Sequence, residues 1–383
     1  MLCKMTTFKW LKNFSRVYSN RVAQQTQTGI LSRESFNEFI EAYPVIMNKT
    51  LQNIEFLKSH DRINKVLEYN TRKQKQLQAQ MFILSCETLQ KPDEINDDFK
   101  LKQHVIAWCI EMLFTYAAIT DDFEEGSKTR YSKPCWHLLP EVGKLIINDA
   151  GTILCLLYEI LRQNFEGLQL IKIFNLFNET MFKYNVGQHL DIVASTTKNY
   201  EVFTVENYLT IASYKLGFYS LVLPVQLALI LSNKNNSSSN KNVSDIFTEV
   251  GVWSQIKNDF EDIFDDDAST GKTGSDIQAG KCTWLAVTAL QRCSEAQRKE
   301  FEECYGSWDP SHVDRIRALY NDLKITDIFH IEEKAYYDNA LLQPPLLLVE
   351  KCLAGFLDLG TSALTQRVFD ERALKNPSLC HRH

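Results

Sequence analysis

The stretch VIAWCIEMLFTYAAITDDFEE, residues 105–125, consists of the longest apolar segment of the chain, 105–120, followed at once by the acidic residues of 121–125. Within it Trp108 and Met112 repeat at the spacing of an α-helix, which predicts a face that packs into a core. The segment contains Glu111 and is too short to cross a bilayer. We therefore expect a buried helix and no transmembrane span.

Three carboxylates lie at the end of this helix. Asp121 and Glu125 are four residues apart and Asp122 and Glu125 are three apart, so all three side chains share one helix face. Like charges at this spacing repel one another and need either open solvent or a counter-cation. A solvated helix end is the usual explanation of such a cluster, but these carboxylates end a helix that we expect to be buried, which makes a cation site a real alternative.

The composition of the 383 residues favours an all-α fold, since 14 Gly and 9 Pro are too few for the frequent turns of a β fold. A net charge of -6 without a basic stripe argues against nucleic-acid binding. The 10 cysteines include no CxxC pair, which indicates reduced thiols in an intracellular protein. We expect helices interrupted near 91–99, 126–140, 232–244 and 265–281, and no strands.

Residues 1–33 contain no acidic residue but several basic ones: Lys4, Lys9, Lys12, Arg16, Arg21 and Arg33. This composition is typical both of a mitochondrial transit segment and of a disordered basic tail, and both interpretations stay open. Residues 34–383 contain no interdomain linker, so we expect one large helical domain. The expected location is cytoplasmic or mitochondrial.

A second acidic cluster, QIKNDFEDIFDDD, occupies residues 255–267. Gln255, Asp259 and Asp262 fall on one helix face, and the Gly-rich loop 271–274 that follows carries a lysine. Mg²⁺ prefers carboxylate oxygens and leaves its other positions to water and phosphate oxygens, while lysine and arginine neutralise the remaining phosphate charge. The two clusters together therefore predict a site for Mg²⁺ and a diphosphate.

Four segments of the chain together resemble farnesyl diphosphate synthases. Residues 106–136 resemble their first aspartate-rich region, and residues 255–285, with GKTGSDIQAGKCTW, resemble the second. GQHLD at 187–191 and YKLGFYSLVLP at 214–224 resemble the family's GQxxD and KTxxYSxxLP motifs. The likeness implies an all-α isoprenoid synthase fold with a central active-site cavity, three Mg²⁺ ions, a prenyl diphosphate substrate and a homodimer.

The resemblance also implies a role for individual residues. Its metal ligands correspond to Asp121, Asp122, Glu125, Asn258, Asp259 and Asp262. Its diphosphate-binding groups correspond to Arg130, Lys215, Lys272 and Gln255. The residues expected to carry the catalytic step are Asp121, Asp122, Lys215 and Asp259, and those expected in the pocket are Tyr116, Ala117, Phe218, Tyr219 and Gln188.

Tyr116 and Ala117 match the two family positions that form the floor of the hydrocarbon pocket. Bulky aromatic residues at both positions limit the chain near fifteen carbons in the family. The small Ala117 therefore predicts added room, which suits either a folded C15 chain or an extended C20 chain.

The half of the site that holds isopentenyl diphosphate in the family is altered in this sequence. Lys75 is retained, but Leu77, Gln78, Phe114 and Tyr131 replace polar or basic residues of the family pattern. Each lost charge-assisted contact weakens binding by about 1.5 to 3 kcal/mol. The residues that would ionise an allylic diphosphate are retained, whereas those that would bind isopentenyl diphosphate as the acceptor are lost. This combination predicts a terpene synthase.

Our leading hypothesis from sequence is thus a diphosphate-releasing sesquiterpene synthase of the insect type, derived from a farnesyl diphosphate synthase. It would ionise (2E,6E)-farnesyl diphosphate with Mg²⁺, form a cyclic sesquiterpene or sesquiterpene alcohol, and serve pheromone biosynthesis. The first alternative is a farnesyl or geranylgeranyl diphosphate synthase that still elongates its substrate. The second is a non-catalytic partner subunit of another prenyl synthase, for which Glu125 and Asn258 are the motivation.

Overall fold

A computed structural model describes residues 30–52, 60–71, 76–264 and 274–340 of the chain. The predictions made for residues 1–29, for Lys75 and for Lys272 lie outside these ranges. Two residues before the expected domain boundary at residue 34 are packed into the core. Ile30 and Leu31 are buried, and the backbone N–H of Ile30 donates to the side-chain oxygen of Gln80 at 3.0 Å.

The described residues are mainly helical, as the composition predicted. The first half contains α1 (Arg33–Gln52), α2 (His60–Asn70), α3 (Leu77–Leu89), α4 (Asp97–Glu124), α5 (Ile146–Asn164) and α6 (Gly167–Thr197). The second half contains α7 (Val205–Ala212), a π-helical segment (Ser213–Val222), α8 (Leu223–Leu231), α9 (Ser237–Phe264), α10 (Asp276–Ala279), α11 (Trp284–Arg292), α12 (Glu295–Cys304), α13 (Pro310–Asp322) and α14 (Ile325–Ala340).

Helix α4 is the central helix of the larger hydrophobic core, in agreement with the sequence pattern. It begins at the N-cap Asn96, whose side chain accepts from the N–H of Phe99 at 2.9 Å. Trp108 is fully buried, stacks on the ring of Phe39 and donates from its indole N–H to the Phe39 carbonyl at 3.0 Å. The C-terminal end of α4 lies at the edge of this core and carries Asp121, Asp122 and Glu125.

The expectation of no strands is wrong in one small detail. A two-stranded antiparallel hairpin pairs β1 (Thr129–Arg130) with β2 (Lys133–Pro134). Tyr131 and Ser132 form its turn with φ angles of 52° and 60°, the left-handed conformation that tight hairpin turns require. The hairpin turns the chain back after α4 and brings Arg130 beside the carboxylates.

Helix boundaries also differ from the expectation at the polar segment 232–244, because α9 already begins at Ser237. Residues 205–231 are the one helical stretch in the described ranges that is long and apolar enough to cross a membrane. Of its most apolar 18-residue window, 72% is buried inside the fold, so core packing accounts for its apolar character.

Glu111 is a fully buried carboxyl group in the middle of α4. One of its oxygens accepts from the N–H of Ala79 at 3.1 Å in the first turn of α3, and the other has no hydrogen-bond partner among the described residues. Burial raises its pKa to about 8, although the Ala79 N–H favours the charged form. Folding therefore favours the neutral acid.

We expect Glu111→Gln to remove a pH dependence of stability. The folded pKa lies above the ordinary value of 4.5, so the stability contribution is complete below about pH 4.5 and is lost as pH rises toward 8. Between pH 5.5 and 7.5, the variant should gain about 2 to 3 kcal/mol in free energy of unfolding relative to wild type. Urea unfolding at both pH values measures this difference.

Glu124→Gln, an exposed position on the same helix, is the matched control for this experiment. Its free energy of unfolding should follow that of wild type at both pH values. If the difference in free energy of unfolding between wild type and Glu111→Gln were the same at both pH values, Glu111 would be ionised in the folded protein.

Candidate active site

Asp121, near the C-terminus of α4, is in contact with three side chains from other parts of the chain. Its Oδ1 accepts from the Gln188 amide at 3.1 Å and lies 3.0 Å from the Lys215 ammonium. Its Oδ2 accepts from an Arg130 Nη at 3.2 Å. Four residues that the sequence singled out are thus brought together from α4, the hairpin, α6 and the π-helical segment.

Asp122 is almost fully buried and is bonded to the hairpin through Arg130. Its Oδ2 accepts from Arg130 Nε at 2.7 Å, so the Arg130 guanidinium binds both aspartates at once. Burial lowers the pKa of Arg130, but hydrogen bonding to Asp122 and the charges of both aspartates raise it above its ordinary value. The guanidinium is therefore a permanent cation at this point.

Lys215 is a second cation in the same cluster, and it extends from the π-helical segment. Its Nζ donates to Asp191 at 2.7 Å and to Glu125 at 2.9 Å, in addition to its contact with Asp121. Burial lowers the pKa of Lys215, but the three surrounding carboxylates outweigh it and hold the pKa well above its ordinary value. A π-helical turn is a rare conformation that recurs at functional sites, which agrees with the position of this lysine.

Lys281 joins the cluster from the loop before α11. Its Nζ donates to the second oxygen of Glu125 at 2.8 Å and lies 3.3 Å from Asp276. Sequence reasoning did not assign Lys281 or Asp276 to the site, although both fall inside the GKTGSDIQAGKCTW motif already quoted. We refer to Asp121, Asp122, Glu125, Arg130, Asp191, Lys215 and Lys281 as the carboxylate-cation cluster.

Asp121 and Glu125, the two carboxylates of α4 that contact Lys215, have pKa values shifted in opposite directions. Burial alone would raise the pKa of Asp121, but Lys215, Lys281 and Arg130 together hold it well below its usual range. The pKa of Glu125 is raised, because burial and the charges of Asp121 and Asp191 outweigh the two lysines. Asp121 therefore stays negatively charged beside these three cations.

The second acidic cluster lies on α9, and its aspartates accept hydrogen bonds from other parts of the protein. Asp259 accepts from the Gln255 amide at 2.6 Å, from the Tyr208 hydroxyl at 2.9 Å and from the backbone N–H of Trp284 at 2.9 Å. Burial and the nearby Asp276 raise the pKa of Asp259 to about 7. Both of its oxygens are thus occupied by protein donors.

The other predicted ligands on α9 have different surroundings. Asp262 is buried and accepts from the backbone N–H of Asp276 at 3.0 Å, which connects α9 to the loop that carries Lys281. Asn258 is exposed. The buried Asp259 and Asp262 share the helix face that the sequence spacing had grouped, whereas Asn258 lies off that face.

The predicted pocket residues fall into three environments. Tyr116, Ala117 and Tyr219 lie together in a small aromatic cluster. Phe218 belongs instead to the large core, where the Lys183 ammonium lies 3.5 Å from its ring centroid. Gln188 lies beside the carboxylate-cation cluster and donates a hydrogen bond to Asp121.

Comparison with known proteins supports the fold and the family. Residues 60–323 match the polyprenyl synthetase family. A farnesyl diphosphate synthase of T. brucei complexed with a bisphosphonate has the same fold, with a TM-score of 0.78 and 24% identity over 85% of this chain and 98% of that one. The all-α isoprenoid synthase fold predicted from sequence is therefore confirmed.

Two relatives of this chain are named farnesyl pyrophosphate synthases. Farnesyl pyrophosphate synthase of Panax ginseng is 33% identical over 83% of this chain and 96% of its own length. Farnesyl pyrophosphate synthase 1, mitochondrial, of Arabidopsis thaliana is 29% identical over 82% of this chain and 83% of its own length.

These relatives contradict our sequence-based prediction of an insect sesquiterpene synthase with a role in pheromone biosynthesis. That prediction was based on four substitutions in the acceptor half, which change the strength of a binding contact without determining the reaction. The comparisons favour the alternative, an enzyme that elongates prenyl chains. The chain belongs to the polyprenyl synthetase family.

Proposed function

We propose that the protein is a farnesyl diphosphate synthase type of prenyltransferase, which joins isopentenyl diphosphate to an allylic diphosphate. The observation that carries this proposal is the buried carboxylate-cation cluster one helical turn from an aromatic cluster, in a chain whose relatives are named farnesyl pyrophosphate synthases. The cations suit a diphosphate and the aromatic cluster suits a hydrocarbon chain.

The family typically uses Mg²⁺, and the donor atoms of this site are suited to that ion. In the described part of the chain, no three His, Cys, Asp or Glu side chains surround a common metal position. The carboxylates are instead paired with Lys215, Lys281 and Arg130. We propose that Asp121, Asp122 and Asp262 hold Mg²⁺, with three ions as the family likeness implies.

Bound Mg²⁺ would supply a Lewis acid to the departing diphosphate of the allylic substrate. The protein's own contribution is made by Arg130, Lys215 and Lys281, whose charges neutralise the diphosphate oxygens as the carbon–oxygen bond breaks. Asp259 has both oxygens in hydrogen bonds with protein groups, so we propose that it positions α9 against Trp284 and Tyr208. That role differs from the metal ligand implied by the resemblance.

Basic side chains lie beside the part of the site that holds isopentenyl diphosphate in the family, although other residues of that part are substituted. Arg130, Tyr131 and Lys133 form a basic surface next to Asp122, and the Lys133 ammonium lies 4.9 Å from the ring centroid of Tyr69. These cations support binding of a second diphosphate, although the family's polar contacts are reduced. We therefore expect elongation with a high KM for isopentenyl diphosphate.

The test is an incubation of the purified protein with Mg²⁺, geranyl diphosphate and labelled isopentenyl diphosphate, with product analysis of both diphosphates and volatiles. Incorporation of label into a longer prenyl diphosphate is the expected result, and omission of Mg²⁺ should abolish it. A volatile terpenoid formed without isopentenyl diphosphate, or no diphosphate release with any allylic substrate, would overturn the proposal.

We also propose that two copies of the chain associate through α5 and α6. Leu168, Ile171, Phe182 and Val193 form one stripe along α6, and Leu168 and Phe182 are 76% and 70% exposed. Ile147 on α5 is exposed as well. An exposed apolar stripe of this length is typical of a protein interface.

Phe182→Glu should weaken this dimer at least about thirtyfold in Kd, because a charge would enter the centre of an apolar interface. Trp308→Glu is the control, since Trp308 is 73% exposed but lies between α12 and α13. Light-scattering mass across a dilution series measures both variants. A wild-type protein that is monomeric at all concentrations would contradict the proposed interface.

A cytoplasmic or mitochondrial location agrees with the comparisons at a coarse level, since one relative is named mitochondrial. The transit-segment hypothesis falls on residues 1–33, of which the structure describes only the last few. It stays a prediction from composition.

A further inference from the structure

A small aromatic cluster, whose buried residues belong to neither of the two larger cores, lies next to the carboxylate-cation cluster. Its buried members are Ala117, Tyr184 and Tyr219, with Phe114, Tyr116 and Leu216 packed against them. Ala117 precedes Asp121 by four residues on α4, so it lies one turn below it on the same helix face. A hydrocarbon chain extending inward from a diphosphate at Asp121 meets this cluster first.

Tyr184, on α6, is held in this cluster by several contacts. Its hydroxyl donates to the Ala117 carbonyl at 2.8 Å and lies 3.4 Å from the Thr120 hydroxyl. Its ring is edge-on to Tyr219, with centroids 5.6 Å apart, and to Tyr116, with centroids 6.3 Å apart. A ring fixed from three sides cannot move aside without loss of these contacts.

The position of Tyr184 changes the conclusion that the small Ala117 enlarges the hydrocarbon pocket. The sequence predicted added room, because Ala117 is small where a bulky residue would close the pocket. In the structure, the Tyr184 ring from a different helix packs against Ala117 and occupies that side of the cluster. The hydroxyl is kept neutral, since burial and the charge of Asp121 raise the pKa of Tyr184 well above its ordinary value.

From this geometry we infer that Tyr184 is the residue that limits the length of the prenyl chain this enzyme makes. The inference rests on the proposed function, because it concerns the product of chain elongation. Tyr184 acts by volume, standing in the path of the growing chain opposite Ala117. The hydrogen bond to the Ala117 carbonyl fixes the ring, and the bulk of the ring stops the chain.

The experiment compares wild type with Tyr184→Phe, Tyr184→Leu and Tyr184→Ala, using geranyl and isopentenyl diphosphate and chromatography of the dephosphorylated products. Tyr184→Phe keeps the ring and should keep the product length. Tyr184→Leu and Tyr184→Ala should raise the share of products longer by one or more five-carbon units, by at least about tenfold for alanine. An unchanged product distribution in Tyr184→Ala, or the same shift in Tyr184→Phe, would overturn the inference.

Tyr158→Ala is the matched control for a large cavity at another site. Tyr158 is half-buried on α5 and packs edge-on against Phe174, with ring centroids 5.3 Å apart. Its removal should leave product length unchanged. A shift to longer products in this variant would show that loosened packing, and not the position of Tyr184, determines length.

A binding measurement separates this inference from the proposed function. The thermal stabilisation of each variant by non-hydrolysable C10, C15 and C20 allylic diphosphates with Mg²⁺ reports which chains fit, whether or not elongation occurs. Tyr184→Ala should be stabilised by longer chains than wild type. An identical length dependence in both proteins would overturn the role of Tyr184, whereas absence of elongation alone would overturn only the proposed reaction.

Discussion

Asp121→Asn is expected to lower the Mg²⁺-dependent rate of prenyl transfer about 10³-fold, the largest effect of any single substitution in the site. The amide has the same shape as the carboxylate but carries no charge, so it can neither hold Mg²⁺ in the same way nor balance Lys215 and Arg130. The three cations around Asp121 hold its pKa far below the usual range, so the wild-type group is ionised at every working pH. Initial rates with geranyl and isopentenyl diphosphate measure the effect.

Asp98→Asn provides the control on the same helix. Asp98 is exposed in the first turn of α4 and pairs with Lys102 at 2.7 Å, far from the carboxylate-cation cluster. Its activity should stay within about twofold of wild type, since an exposed ion pair of this kind contributes little. If Asp121→Asn retained more than a tenth of the wild-type rate, Asp121 would not be a ligand of the essential metal.

Gly251→Ala should lower the free energy of unfolding by about 3 kcal/mol or prevent folding altogether. Gly251 lies on α9 where this helix crosses the π-helical segment at Gly217. A Cβ on Gly251 would overlap the Cα of Gly217 and stand 3.2 Å from its carbonyl carbon. Because the obstructing atoms are backbone, one helix would have to shift as a whole.

Gly151→Ala is the corresponding control. Gly151 lies within α5, and a Cβ added there meets no atom within 4 Å. The substitution should raise stability by about 0.5 to 1 kcal/mol, because alanine is the better helix former. Urea unfolding of both variants measures the contrast, and equal stability of Gly251→Ala and wild type would show that the two helices can separate without cost.

The close approach of the two glycines also affects the site. Lys215 lies two residues before Gly217 in the π-helical segment, so any shift that relieves the overlap moves its ammonium relative to Asp121 and Asp191. A soluble Gly251→Ala variant should therefore lose activity as well as stability. Contacts between distant segments thus set the position of Lys215, a residue that the motif had assigned to the site.

The features that sequence reasoning identified are those encoded by local spacing. The apolar period of α4, its terminal carboxylates and the acidic face of α9 each depend on residues three or four positions apart, which a helix places side by side in any fold. The hairpin at 129–134 was missed because its turn residues, Tyr131 and Ser132, are not the usual glycine or asparagine.

The sequence by itself determined an all-helical fold, two acidic clusters and the basic motifs that accompany them, because helical period and charge spacing are local properties. Tertiary structure alone decided which groups meet. Lys281 and Glu125 are 156 residues apart and Tyr184 and Ala117 are 67 apart, yet both pairs are hydrogen-bonded. Such contacts form where whole helices pack against one another. Helix packing depends on the shapes of many side chains at once, so it cannot be inferred from a short motif.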